Sequence, residues 1–222
     1  MSRASTDAPL NAFLQSPLQG FDWQSLARAP GAADGVLACE LAHLGYVIVR
    51  GRADDADFLE RVGSVLGSPL PTGPTSFARW SHGAALWLSP DEWMLVCPRA
   101  ARDGWVGSLN AALAGVFAQV VDVSGGFTTL RLAGKDHVRL LRHLGPYDFE
   151  RLQIGRCVGT VFSKATVSVV RADAAGVLLV FRRSFADYVW RLVERAARPY
   201  GLCVVTPQHC ADPLFAPLLE AA

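Results

Sequence analysis

A chain of 222 residues, 51% hydrophobic and only 18% charged, holds one large domain or two small fused ones around a sizeable buried core. Its net charge is +1 and its basic residues are scattered, with Lys135 and Lys164 the only lysines, which argues against electrostatic capture of nucleic acid. No apolar run approaches the ~20 residues of a membrane span.

A charged fraction below the usual ~25% fits a surface partly hidden against a partner, or equally an Ala- and Leu-rich sequence style. Cysteines stand at 39, 97, 157, 203 and 210, an odd number at irregular spacing. Several lie inside apolar runs such as Met94-Leu95-Val96-Cys97, as reduced, buried thiols do in a cytosolic protein. The opening Met1–Asp7 lacks the long apolar stretch of a signal peptide. A cytoplasmic location is therefore expected.

In chain order, residues 1 to about 35 carry no sustained periodicity. Pro9, Pro17, Gly20, Pro30, Gly31 and Gly35 punctuate isolated apolar anchors, Phe13, Phe21 and Trp23. The pattern reads as an extended arm, residues 1–40, lying along the chain's own surface or a partner's. The ordered pattern begins at Tyr46-Val47-Ile48-Val49-Arg50, a short strand closed by Gly51. Asp54–Leu66 reads as a helix, with Phe58, Leu59, Val62, Val65 and Leu66 at helical spacing and acidic residues in its first turn. Gly67 and Pro69 end it.

Two strands, Ala85–Leu88 and Trp93–Val96, flank Ser89-Pro90-Asp91-Glu92. That string suits a type I turn or a helix cap, and the flanking Trp, Leu, Met and Val favour a hairpin. A helix over Arg102–Leu113 stops at Gly115. The pattern then restarts: strands over Val116–Val123 and Thr128–Leu132, and a helix over Lys135–Leu144. A hairpin of Val158–Arg171 with Val177–Arg182 follows, then a helix over Phe185–Ala197 capped by Ser184, and a last strand over Leu202–Val205. Leu95 and Leu179 occupy equivalent places 84 residues apart. The fold class is thus α+β, two ferredoxin-like βαββα(β) halves, about 41–118 and 119–205, followed by a tail, 206–222.

The search for chemistry finds turns and caps. Neither phosphate-binding loop pattern occurs, and Ser124-Gly125-Gly126 joins two strands with no helix behind it. Cys203, His209 and Cys210 lack the paired spacing and fourth ligand of structural zinc. His137 and His143, six apart, do not share a helix face, and His43 and His82 have no nucleophile or carboxylate nearby in sequence. No G-x-S-x-G elbow is present and no cysteine carries a nucleophile signature. Asp122 at a strand end could serve as a base or bind a ligand amine. Asp91 and Glu92 either accept backbone N–H bonds in their turn or reach a partner. Trp is enriched in cores and in interface hot spots alike. The candidate interface residues are Trp23, Trp87, Asp91, Glu92, Trp93 and Arg183, and no catalytic, cofactor or metal residue is assigned.

Several blocks resemble a known family. Gly45-Tyr46-Val47-Ile48-Val49-Arg50-Gly51, Leu66-Gly67-Ser68-Pro69-Leu70-Pro71 and above all Leu86-Trp87-Leu88-Ser89-Pro90-Asp91-Glu92-Trp93-Met94-Leu95 resemble the gamma subunit of heterotetrameric sarcosine oxidase. Asp122-Val123-Ser124, Ser163-Lys164-Ala165 and Arg183-Ser184-Phe185-Ala186-Asp187-Tyr188-Val189-Trp190 continue the match in order, over about residues 44–203. The resemblance implies a fold like the folate-binding domain of the glycine cleavage T-protein, built from ferredoxin-like halves. It also implies alpha, beta and delta partner subunits in a complex that oxidatively demethylates sarcosine. FAD, FMN, NAD, tetrahydrofolate and zinc are expected on those partners and no cofactor on this chain. The expectation is a non-catalytic assembly subunit. The alternatives are a stand-alone folate-binding or one-carbon transfer protein using Asp122 and a central cavity, or the small subunit of a related N-methyl amino acid dehydrogenase. The arm and the tail lie outside the resemblance and are candidates for selecting a different partner or substrate complex.

Overall fold

The computed structural model describes residues 15–220; the arm's Phe13 anchor lies outside them. The first half is built on β2 (Gly45–Arg50). After it, α2 (Ala56–Leu66) starts at Asp55, whose carboxylate accepts the Phe58 N–H at 3.2 Å, and ends at Gly67 in the left-handed region, φ 68°. Its buried residues, Phe58, Val62 and Leu66, recur every four and so face one way. Then come β3 (Phe77–Trp80), β4 (Gly83–Ser89), β5 (Glu92–Cys97), α3 (Arg102–Ala112) and β6 (Gln119–Asp122). The sheet order is β3-β4-β5-β2-β6, a ferredoxin-like arrangement with β3 added at one edge.

The second half comprises β7 (Phe127–Ala133), α4 (His137–Leu144), β8 (Arg156–Phe162), β9 (Ala165–Arg171), β10 (Gly176–Arg182), α5 (Ala186–Ala197) and β11 (Leu202–Val204). Three sequence expectations need correcting here. The stretch 158–171 is two strands, folded back at Ser163, which takes φ 53°. Ser184 does not cap α5: a tight helical turn over Arg183–Phe185 runs into it, with no side-chain cap bond. The arm ends in a strand, β1 (Val36–Leu41), which pairs parallel with β11 and antiparallel with β7. Residues such as Ala38, Cys39 and Glu40 have little β propensity; neighbours on both sides impose the strand.

The second sheet therefore runs β11-β1-β7-β10-β9-β8. The division at 118/119 also falls one strand early, because β6 completes the first sheet while β1 crosses into the second. The two halves are interlocked. The sheets face one another across a middle layer of Cys39, Leu41, Tyr46, Leu86, Met94, Leu178 and Val180. The tail fills the same layer: Cys210, Leu214, Phe215 and Leu218 are buried there, the last on α6 (Ala216–Glu220). It is core, not an appendage. Outside, α4 and α5 cover one sheet through Leu140, Leu141, Leu144, Val189, Trp190 and Val193, and α2 and α3 cover the other through Phe58, Val62 and Leu109. No helix among the described residues is long and apolar enough to cross a membrane.

One ion cluster pins the tail. Arg131, in the middle of β7, is 0% exposed and donates to both carboxylate oxygens of Asp173 in the β9–β10 turn, at 2.7 and 2.9 Å. Its other terminal nitrogen lies 3.8 Å from Asp212 of the tail. Asp212 in turn accepts the N–H groups of Phe215 (2.6 Å) and Ala216 (2.8 Å), setting the turn that drives Phe215 inward. A buried arginine is tolerable only with such partners.

Candidate subunit interface

The β4–β5 turn is held by its own side chains. Ser89 Oγ donates to Asp91 at 2.6 Å, Arg50 donates to the other Asp91 oxygen at 2.9 Å, and the Gly51 N–H reaches the Asp91 carbonyl at 3.1 Å. Ser89 first, then Arg50, holds the Asp91 carboxyl below the usual carboxylate range. Glu92 stands 4.0 Å from the same arginine. The turn reading holds, and the Arg50 and Asp91 side chains remain about half exposed.

Trp87 and Trp93 are directly opposed in the β4–β5 register and share one face, towards α2 and α3. Trp93 is 0% exposed, its Nε1 donates to the Pro71 carbonyl at 2.7 Å, and its ring lies 5.7 Å from Phe58. It leaves the interface candidates: strand alternation turns it inward, and the core already uses it. Trp87 is half-buried on the same cluster. Trp23, on the short helix α1 (Trp23–Leu26), packs 4.4 Å from Trp190 and so lies along the chain's own surface.

Sequence reasoning missed Phe117. The expected strand over Val116–Val123 begins only at Gln119, which leaves Phe117 in the preceding link at 95% exposure. It lines a cleft of about 550 Å³ with Arg50, Gly51, Arg52, Asp91, Ala118 and Gln119. Beside it, among the described residues, β6 pairs only with β2, and Val121 on this edge strand is 37% exposed. An aromatic residue two positions after the Gly115 stop was the signal, masked by the strand pattern that follows it.

Arg183 lines a second cleft, of about 680 Å³, with Ser16, Pro17, Gly125, Gly126, Arg182, Ser184 and Asp187. It donates to the Gln15 carbonyl at 2.7 Å, while Arg182 sits 4.9 Å over the Phe127 ring.

The remaining singled-out groups stay apart. Asp122 accepts the Ser124 N–H at 2.9 Å and pairs with Arg102 at 3.3 Å on the edge strand, away from any space between the sheets. His137 contacts the Gly134 carbonyl at 2.7 Å, His143 the Tyr200 hydroxyl at 2.8 Å, and His209 the Thr206 hydroxyl at 2.9 Å. Among the described residues no three His, Cys, Asp or Glu side chains could hold a metal ion together. The five cysteines are free and buried. Burial pushes the thiols of Cys97 and Cys157 up to about 12, so neither is a nucleophile at neutral pH.

The sequence model of the family described as "Sarcosine oxidase, gamma subunit family" matches residues 50–198. The sarcosine oxidase subunit gamma of Arthrobacter sp. is 30% identical over 166 residues, 73% of this chain and 80% of that one. That of Corynebacterium sp. (strain P-1) is 28% identical over the same shares. Among solved structures, a chain of the heterotetrameric sarcosine oxidase from Corynebacterium sp. U-96 superposes with a TM-score of 0.74 at 21% identity, covering 84% of this chain and 95% of that one. The glycine cleavage system aminomethyltransferase T from Bartonella henselae gives a TM-score of 0.64 at 14% identity, covering 87% of this chain and 60% of that one. Both share this fold of two interlocked α+β halves.

Proposed function

The chain belongs to the sarcosine oxidase gamma subunit family, and from that premise we propose that it is a non-catalytic assembly subunit of a heterotetrameric, flavin-dependent complex. The complex oxidatively demethylates sarcosine and passes the methyl carbon to tetrahydrofolate. Alpha, beta and delta subunits are its partners and carry FAD, FMN, NAD, folate and zinc. Buried, reduced thiols accord with a cytoplasmic complex.

The observation that carries this reading is Phe117, an aromatic ring 95% exposed beside a strand edge that no other described residue pairs, and in a mixed-charge cleft. Fully burying such a side chain is worth about 1.5–3 kcal/mol, and a partner surface is the means to collect it. Of the remaining interface candidates, Asp91 lines the first cleft and Arg183 the second, and Glu92 stands 4.0 Å from Arg50 of the first. The stand-alone folate reading loses its two supports. Asp122 is engaged on an edge strand, and the layer between the sheets is packed by Tyr46, Leu86, Met94, Phe215 and Leu218.

Co-expression of the full chain with the flavoprotein subunits of its complex tests the proposal. The expected result is one stable assembly that the wild type joins and a Phe117→Asp variant joins poorly, with the isolated variant melting like the wild type. A well-folded chain that never associates, or one that binds tetrahydrofolate saturably alone, sinks it.

A further inference from the structure

One end of the sandwich gathers every corner at which the chain leaves a sheet for the other sheet or for α3 or α5. β1 ends with Leu41 opposite Thr129, and β2 begins with Gly45 opposite Cys97. Val47 faces Asp122 at the end of β6, and Arg182, closing β10, faces Phe127, opening β7. The β1–β2 turn, the turn over Ser124–Gly126 and the helical turns over Arg99–Ala101 and Arg183–Phe185 therefore share that end.

The 84-residue repeat makes Arg99 and Arg183 equivalent. Each is the first residue of the tight turn that leads from an inner strand into α3 or α5. Both stand close to His43 at the tip of the β1–β2 turn, where burial first, and then their two charges, holds the imidazole below its ordinary pKa. Arg182 adds a third guanidinium.

These cations have no carboxylate within ion-pair distance among the described residues. The nearby carboxylates are engaged elsewhere: Asp103 and Asp122 with Arg102, and Asp187 with Arg191. Glu40 accepts a hydrogen bond from Ser16 at 2.5 Å; burial raises its pKa, while the nearby charge of Arg183 opposes that shift. Arg182 and Arg183 are instead anchored by groups without negative charge, the Phe127 ring and the Gln15 carbonyl. They are pre-positioned, so less side-chain freedom remains to be lost on binding. Gly125 and Gly126 form part of the same cleft, with open space where a side chain would stand.

The cleft is wide and shallow. A small ligand normally has 70–90% of its surface enclosed, which such a site cannot do, whereas a polypeptide laid across it can be gripped from one side. Arginine is the side chain best matched to carboxylates through paired N–H donors. We propose that this arginine-lined cleft receives a carboxylate-bearing segment of a partner subunit, held by Arg182 and Arg183. The inference rests on the assembly reading and adds to it a second contact surface, chemically distinct from the Phe117 cleft.

The test compares the full-length chain with three variants, each co-expressed with the partner subunits. Arg182→Glu/Arg183→Glu reverses the cleft. Arg195→Glu/Arg198→Glu makes the same charge change at two exposed arginines at the far end of α5. The first is expected to weaken association at least about tenfold and to remove most of its salt dependence; the second is expected to leave both unchanged. Arg182→Gln/Arg183→Gln, a milder change, should show an intermediate loss should the reversal variant fold poorly. Wild-type affinity in the cleft variants overturns the inference, and so does an equal loss in the control. Saturable citrate binding by the isolated wild-type chain, lost in the cleft variant, also overturns it by assigning the cleft to a free small anion. Failure of the wild type itself to associate removes the assembly reading; association of wild type and cleft variant alike removes only this one.

Discussion

Replacing Asp212 separates two jobs that one buried carboxylate performs. Its side chain is 0% exposed; one oxygen faces Arg131 at 3.8 Å, and the other accepts the N–H groups of Phe215 and Ala216. Asp212→Ala removes both, leaving Arg131 with Asp173 alone and two amides without an acceptor. Removing one partner of a buried ion pair costs about 3–5 kcal/mol. With Asp173 still in place, the lower end, about 3 kcal/mol, is the working figure. In a chain of this size each kcal/mol moves the melting temperature by about 2–4 °C, so Asp212→Ala should melt about 6–12 °C lower. Asp212→Asn keeps an oxygen for the two amides while losing the charge, and should recover roughly half of that drop. Thermal unfolding followed by circular dichroism, with urea titration as a second route, gives both values. A drop below about 2 °C for the alanine variant would refute the pinning of the tail. Equal drops for Ala and Asn would show that the charge alone matters.

Gly51→Ala should cost about 1–3 kcal/mol, because the added Cβ would lie 2.4 Å from the Phe58 ring, which Trp93 backs at 5.7 Å; urea denaturation checks it. Cys97 and Cys157, with thiols near 12, should be only about one part in ten thousand ionised at pH 8 and should resist an aromatic disulfide reagent until urea is added. Rapid titration of these two thiols in the native chain would contradict their burial. Asp34 is held at about 2, against an ordinary 3.8, first by the Arg28 hydrogen bond and then by the Gly31 N–H. A lowered folded-state pKa contributes stability that is present above 3.8 and lost as the pH falls through about 2. Asp34→Asn should therefore flatten the stability curve between those values; an unchanged acid limb in a pH series of melts counts against the pair.

What could be read from the residues was what they encode within a few positions of themselves. The Phe58–Val62–Leu66 stripe stopped at Gly67, the hairpin around Pro90 and the Leu95–Leu179 repeat all hold, because periodicity, stop signals and turn chemistry act over one or two helical turns. That suffices for the α+β class, for two similar halves and for the expectation that the chain docks on partners. Other features depended on distant contacts. Val36–Leu41 becomes a strand only because Leu202–Val204 and Phe127–Ala133 flank it, more than 80 residues away. Arg131 looks like any surface arginine until Asp173 and Asp212 close around it. Trp93, expected at a partner surface, turned into the core, and Phe117, unremarked in the sequence, out to solvent, because exposure is decided by what packs opposite a residue. No short stretch of sequence records its opposite neighbour. The sequence by itself determined the parts and their repetition; the tertiary structure decided how they interlock, through pairings that bring together residues far apart in the chain.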